Sequence, residues 1–158
     1  MKLTTFLTRF GINTTTNFDL KFIAKELGLD IKVLMRDEFQ SSFDNSNTSF
    51  IINLQTSNEN GSHWVLFNDS SLGATGTPSV LVPALSMFYY FDSYGIPPLK
   101  EVTSLISPLK YNTLQVQPKD LKICGQLCIW VLYRMKIKKE DFEDVILNLY
   151  QELKDLTA

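Results

Sequence analysis

Ile123-Cys124-Gly125-Gln126-Leu127-Cys128-Ile129-Trp130-Val131-Leu132-Tyr133-Arg134-Met135 is the stretch on which the architecture turns. It is apolar around most of a helical circumference, the pattern of a helix enclosed by protein on all sides. Other layers must therefore cover it. On its C-terminal side, Phe142, Val145, Ile146, Leu149, Tyr150 and Leu153 recur at helical spacing and mark one face of an amphipathic helix. On its N-terminal side the helical period gives way to short apolar runs typical of strands. Residues 49–54 and 63–68 are two such runs joined by a polar turn over 56–61, which reads as a hairpin. The aromatic run Met87-Phe88-Tyr89-Tyr90-Phe91-Asp92 is a further strand, and Gly95 with Pro97-Pro98 marks its exit, because such residues do not continue a central strand.

The remaining segments complete the pattern. Residues 17–27 form a helix with Asn17 as N-cap, Asp19 in the positive first turn, Leu20, Ile23 and Leu27 on one face and Gly28 at C′. Residues 31–35 read as a short strand or extended connector, 40–47 as a loop and 69–77 as a polar stretch. Residues 99–106 read as a short helix, 113–116 as a strand and 117–120 as the turn after it. Helices at both ends with hairpins and a helix between them give an α+β fold, a mainly antiparallel sheet flanked by helices. No repeat or Pro/Gly-rich linker divides residues 1–158, which read as one domain.

Composition sets the class. With 158 residues, 44% hydrophobic and 20% charged, the chain buries a real core, and disorder is excluded. Fifteen basic against 17 acidic residues leave no overall footprint for a nucleic-acid binder, although Arg134, Lys136, Lys138 and Lys139 form a local basic group. No apolar run approaches the roughly 20 residues of a membrane span. Thr and Arg interrupt the start, Met1 to Arg9, so it lacks the apolar region of a secretory signal, and an intracellular protein is expected. The only cysteines, Cys124 and Cys128, lie one helical turn apart, a spacing poorly suited to a disulfide. With His63 as sole histidine they cannot complete a usual four-ligand zinc set, so no metal or cofactor is expected.

Four residues stand out. Cys124 begins the buried helix, where the unsatisfied N–H groups of the first turn favour a thiolate and can stabilise an oxyanion. Gly125 after it permits close approach of backbone or substrate. A cysteine in an apolar helix is more often a small buried hydrophobe, and Cys128, among Leu127, Ile129, Val131 and Leu132, fits that description. His63, at the mouth of a strand, is the one available general base for Cys124, although a lone histidine is more often a satisfied polar residue. Asp92 at the end of the aromatic strand can orient an imidazole through Nδ1–H, or simply close an Asx-turn before Gly95. Gln117 offers an amide donor to a developing oxyanion.

His63-Trp64, Asp92 after Tyr90-Phe91, Gln117 and Cys124-Gly125 occur in the order and spacing of a known group. Together they resemble the signature of the adenovirus-type maturation proteases, the adenains, which are related to the cysteine proteases that remove ubiquitin-like proteins. The likeness extends through Leu20-Lys21-Phe22-Ile23-Ala24-Lys25-Glu26-Leu27-Gly28, the segment through Asp37-Glu38-Phe39, and Phe50-Ile51-Ile52-Asn53, so that it covers roughly residues 17–136. Tyr90-Phe91-Asp92-Ser93-Tyr94-Gly95 with Pro97-Pro98 is most similar to protease homologues of virophages and Maverick/Polinton-type elements.

The resemblance implies a papain-like arrangement in permuted order, His-Asp-Gln-Cys, with the nucleophile at the N-terminus of the buried central helix. It assigns Cys124 as nucleophile, His63 as base and then acid, Asp92 as the orienting carboxylate, and Gln117 with the Cys124 N–H as the oxyanion hole. Trp64 would flank the site, although an aromatic at a strand start serves equally as core. The implied activity is endoproteolysis of viral capsid or core precursors after small residues, typically glycine, during virion maturation. It would take place in the virion and the interior of the infected host cell, cytoplasm or virus factory, without secretion or a membrane partner. The adenoviral enzymes are basic and use DNA and a disulfide-linked peptide as activators. This chain is slightly acidic and has no cysteine outside the helix, which speaks against a nucleic-acid partner and leaves any activating peptide unidentified. Two alternatives stay open: a protease that deconjugates ubiquitin-like proteins, and a non-catalytic capsid-binding module in which Cys124 is core.

Overall fold

A computed structural model describes residues 1–11, 15–44, 48–56, 63–69 and 87–157. The turn expected over 56–61 and the polar stretch over 69–77 lie almost wholly outside the described residues, as does the end of the loop expected over 40–47. Five strands form one sheet in the order β1 (Ile31–Met35), β2 (Ser49–Asn53), β3 (Trp64–Asp69), β4 (Phe88–Phe91) and β5 (Lys110–Tyr111). β2 and β3 form the expected antiparallel pair, with Ile51 opposite Leu66, and β4 continues antiparallel to β3, with Phe91 opposite Leu66. The two outer pairings are parallel: β1 with β2 and β4 with β5.

The sheet is therefore mixed rather than mainly antiparallel. Its connections give the reason, because parallel neighbours require a crossover that returns the chain to the same end of the sheet. A 3-10 turn (Arg36–Glu38) and α3 (Phe39–Ser42) supply it between β1 and β2, where only a loop was expected. Between β4 and β5 the crossover includes α4 (Lys100–Thr103), shorter than the helix expected over 99–106. Arg36 ties these two segments, donating from Nε and Nη2 to the Glu101 carboxylate at 2.8 and 3.0 Å.

Side chains alternate across the sheet, as the two-residue period of a strand requires. Phe50, Ile52, Val65, Phe67 and Tyr90 face a core completed by Phe39, Val102 and Ile106. Ile51, Trp64, Leu66 and Phe91 face the opposite core, built by four helices. These are α1 (Leu3–Phe10), α2 (Asn17–Glu26), α5 (Cys124–Lys136) and α6 (Phe142–Leu156). With both faces covered, every residue of β2 and β3 is buried, which explains their continuous apolar sequences. α5 is enclosed from Gly125 to Tyr133, as its composition predicts, and α6 buries Phe142, Val145, Ile146, Leu149 and Leu153.

Three local readings need correction. No element was expected over residues 3–10, yet Leu3, Phe6 and Leu7 form the buried face of α1. The N-cap of α2 is Thr16 rather than Asn17. Its hydroxyl accepts the Asp19 N–H at 3.2 Å while the Asp19 carboxylate accepts the Thr16 N–H at 3.0 Å, a reciprocal capping box. Gly28 ends the helix as expected, with φ of 73°. Finally, residues 113–116 are not a strand. The N–H groups of Val116 and Gln117 both donate to the Ser93 carbonyl, at 2.9 and 3.0 Å, which ties this segment to the turn after β4.

Trp130 is the largest fully buried side chain, stacked obliquely between Phe6 (5.2 Å between centroids) and Tyr133 (5.8 Å). Trp130→Ala should lower unfolding free energy by about 3–5 kcal/mol. Urea titration should show the midpoint falling with little change in slope.

Candidate active site

The fold carries His63 and Asp92 to one edge of the central strands. His63 immediately precedes β3 and Asp92 immediately follows β4, and the antiparallel register of the two strands sets the start of one beside the end of the other. Cys124, first residue of α5, reaches the same place from the helical layer. What allows this is the residue after it. A Cβ on Gly125 would lie 2.5 Å from Thr15 Oγ1, 2.8 Å from Leu20 Cδ2 and 3.2 Å from Trp64 Cδ1. The close approach anticipated at Gly125 is thus filled by the protein itself, and it draws the helix start against Trp64, the neighbour of His63. Trp64 serves both expected roles, lying in the core while flanking the Cys124-Gly125 step.

His63 Nε2 and Asp92 Oδ1 are 2.9 Å apart, with 12% of the imidazole and 1% of the carboxylate side chain exposed. The expected contact was through Nδ1. The ring is instead turned so that Nε2 meets the carboxylate, and Cys124 is the other side chain that acts on this imidazole. Burial lowers the affinity of His63 for its proton, but the hydrogen bonds to Asp92 and Cys124 and the charges of both outweigh it. The imidazole is pushed up to about 9. An imidazolium between a carboxylate and a sulfur is therefore the state of this group at neutral pH.

Asp92 performs both functions that its sequence position allowed. The same Oδ1 accepts the Tyr94 N–H at 2.8 Å, and the Asp92 carbonyl accepts the Gly95 N–H at 2.9 Å, closing a turn in which Gly95 has φ of 70°. Its backbone is held by Asn112, a residue without any signal in the sequence. Asn112 Oδ1 accepts the Asp92 N–H at 3.1 Å, and Nδ2 donates to the Asp92 and Leu114 carbonyls at 2.7 and 3.1 Å. Asn112 is buried, so each of these bonds replaces one to water.

Gln117 is buried behind this turn. Its Oε1 accepts the Ser93 hydroxyl at 2.6 Å, and Nε2 donates to the Tyr94 hydroxyl at 3.1 Å and to the Leu121 carbonyl. Tyr94, also unsuspected from sequence, lays its ring on His63 with centroids 4.8 Å apart and planes 23° from parallel.

At the start of α5 the first helical bond runs from the Leu127 N–H to the Ile123 carbonyl (2.9 Å), and Ile123 supplies no side-chain cap. The thiol therefore stands beside N–H groups that a helix of this kind leaves for a ligand. Cys128, one turn on, is fully buried, donates weakly to the Trp64 carbonyl at 3.5 Å and has its thiol pushed well up by burial. It is the small core residue that its surroundings suggested.

All four residues singled out in sequence thus belong to one constellation, with His63 bonded to Asp92 and raised by Cys124, and Gln117 joined to it through Ser93 and Tyr94. Ser93 and Tyr94 adjoin Asp92 in the sequence, whereas no sequence pattern singles out Asn112. No protein-family model matches the chain, and no curated protein matches its sequence. Among the described residues, no helix is long and apolar enough to cross a membrane.

Two outcomes are expected. Because the folded His63 is raised above its unfolded value of about 6.5, its contribution to stability is complete below that pH and is lost as pH rises towards 9. The stability difference between wild type and His63→Gln should shrink across pH 6.5–9.5 in urea titrations; a constant difference would contradict the raised imidazole. Asn112→Ala should destabilise by roughly 1–3 kcal/mol, as the Asp92 backbone groups lose their buried partner, and its thermal midpoint reports this directly.

Proposed function

We propose that this chain is a cysteine endopeptidase. The observation that carries the reading is an imidazole bonded at Nε2 to a buried carboxylate and raised by the neighbouring Cys124, which stands at an uncapped helix start. A base oriented by a third group and placed against a nucleophile is the arrangement that acyl transfer needs. The sulfur attacks the scissile carbonyl, its electron pair forming the S–C bond while the carbonyl π pair moves to oxygen. N–H groups at the head of α5 face the resulting oxyanion. Collapse expels the amine, which takes its proton from the His63 imidazolium. Water, deprotonated by the now neutral His63, then opens the thioester and regenerates the starting pair.

Substrate choice rests on the resemblance to adenain-type proteases: a viral capsid or core precursor, cut after a small residue such as glycine during maturation inside the virion or host cell. A mixed sheet with helices on both faces suits this reading, and an extended substrate strand beside a sheet edge would gain main-chain hydrogen bonds.

Iodoacetamide alkylation of Cys124, followed by mass spectrometry from pH 5 to 10, tests the chemistry before any substrate is known. Rapid modification below pH 7 that collapses in His63→Ala supports an activated sulfur, whereas slow modification unchanged by the mutation leaves the non-catalytic module as the better reading. On fluorescence-quenched peptides with glycine on the acyl side of the scissile bond, Cys124→Ala should abolish cleavage. Gln117→Ala should lower turnover about 10- to 100-fold, as support for the oxyanion is lost. A probe ending in a ubiquitin-like C-terminus should react no faster than these peptides; a strong preference for it would shift the assignment to deconjugation.

A further inference from the structure

Gln117, as placed, has no proton to spare. A primary amide carries two N–H donors, and those of Gln117 go to the Tyr94 hydroxyl and the Leu121 carbonyl. Its Oε1 is held by the Ser93 hydroxyl, which fixes the orientation of the amide. The hydroxyl on the receiving end is different. Tyr94 Oη accepts from Gln117, and no acceptor among the described residues takes its O–H. The phenol also lies beside the base. Its ring covers the His63 imidazole at 4.8 Å, and its backbone N–H shares Asp92 Oδ1 with that imidazole. Burial, then the charges of Cys124 and Asp92, push the phenol up, so it keeps its proton throughout the range in which the imidazolium exists.

We propose that the Tyr94 hydroxyl, polarised by the Gln117 N–H, is a catalytic donor to the oxyanion, and that Gln117 reaches the tetrahedral intermediate through it. This deepens the protease reading and rests on it. No proton is transferred at this group: the O–H donates a hydrogen bond while the carbonyl π pair resides on oxygen, and the bond weakens when the carbonyl re-forms and the amine leaves with the His63 proton. Chained donors strengthen one another in a site of low dielectric, and the ring stack fixes where the hydroxyl stands. Tyr94 thereby places the base with its face and meets the intermediate with its edge.

Tyr94→Phe separates the two duties, because it keeps the stack and deletes the hydroxyl. On the glycine-containing quenched peptides, kcat should fall on the order of 10²–10³, the usual loss for an oxyanion donor and at least the loss for Gln117→Ala, with KM within twofold. The Cys124 alkylation rate and its pH dependence should stay at wild-type values, which also certifies that the variant is folded and its imidazolium pair intact. In a Tyr94→Phe background Gln117→Ala should cost less than about threefold further, since Gln117 acts only through the deleted hydroxyl. A Tyr94→Phe enzyme with kcat within twofold of wild type overturns the proposal, as does a kcat loss matched by an equal loss of alkylation rate, which would make Tyr94 a positioning residue only. Absence of Cys124-dependent cleavage in the wild type would overturn the protease reading itself, and this inference with it.

Discussion

The missing side chain at Gly125 lets the first turn of α5 lie against Thr15, Leu20 and Trp64, and the geometry of the site follows from that approach. Trp64 opens β3, so the helix start is fixed relative to the strand that His63 precedes. The β3–β4 register then fixes Asp92 relative to His63. Two rigid elements and one tight contact thus determine a three-body arrangement, which is how a scaffold holds reacting groups more closely than loops alone can.

Much of this was written in local sequence. The apolar circumference of α5, the helical stripe of α6 and the runs of β2, β3 and β4 need only neighbouring residues to be recognised. What escaped depends on contacts made across the chain. The parallel pairings of β1 and β5 hinge on crossovers whose helices are four residues long, too short for any period to show. Residues 113–116 have strand-like composition, yet the Ser93 carbonyl captures the N–H groups that a strand would have used. The order His63, Asp92, Gln117, Cys124 was visible, but the rotation of one ring, Nε2 rather than Nδ1 towards the carboxylate, is a matter of side-chain torsion that no sequence pattern encodes.

The two cysteines illustrate how far environment governs a single chemistry. Four residues apart on one helix, one is partly exposed beside an imidazolium and the other is sealed beneath Trp64 with its thiol held protonated. Burial removes a nucleophile as effectively as mutation would.

The supports of the site mostly grip main chain. Asn112 holds the N–H and carbonyl of Asp92, Gln117 reaches the Leu121 carbonyl, and the Ser93 carbonyl gathers the N–H groups of Val116 and Gln117. A backbone atom is the same in every residue, so such bonds record distance along the chain and not the identity of what lies between. The exposed Lys110, Tyr111 and Thr113 can change with little effect on them, whereas one inserted residue between Tyr111 and Gln117 would pull the clamps out of step. In this region the decisive quantity is length. Substitution there changes the surface, while the number of residues sets where the clamps meet.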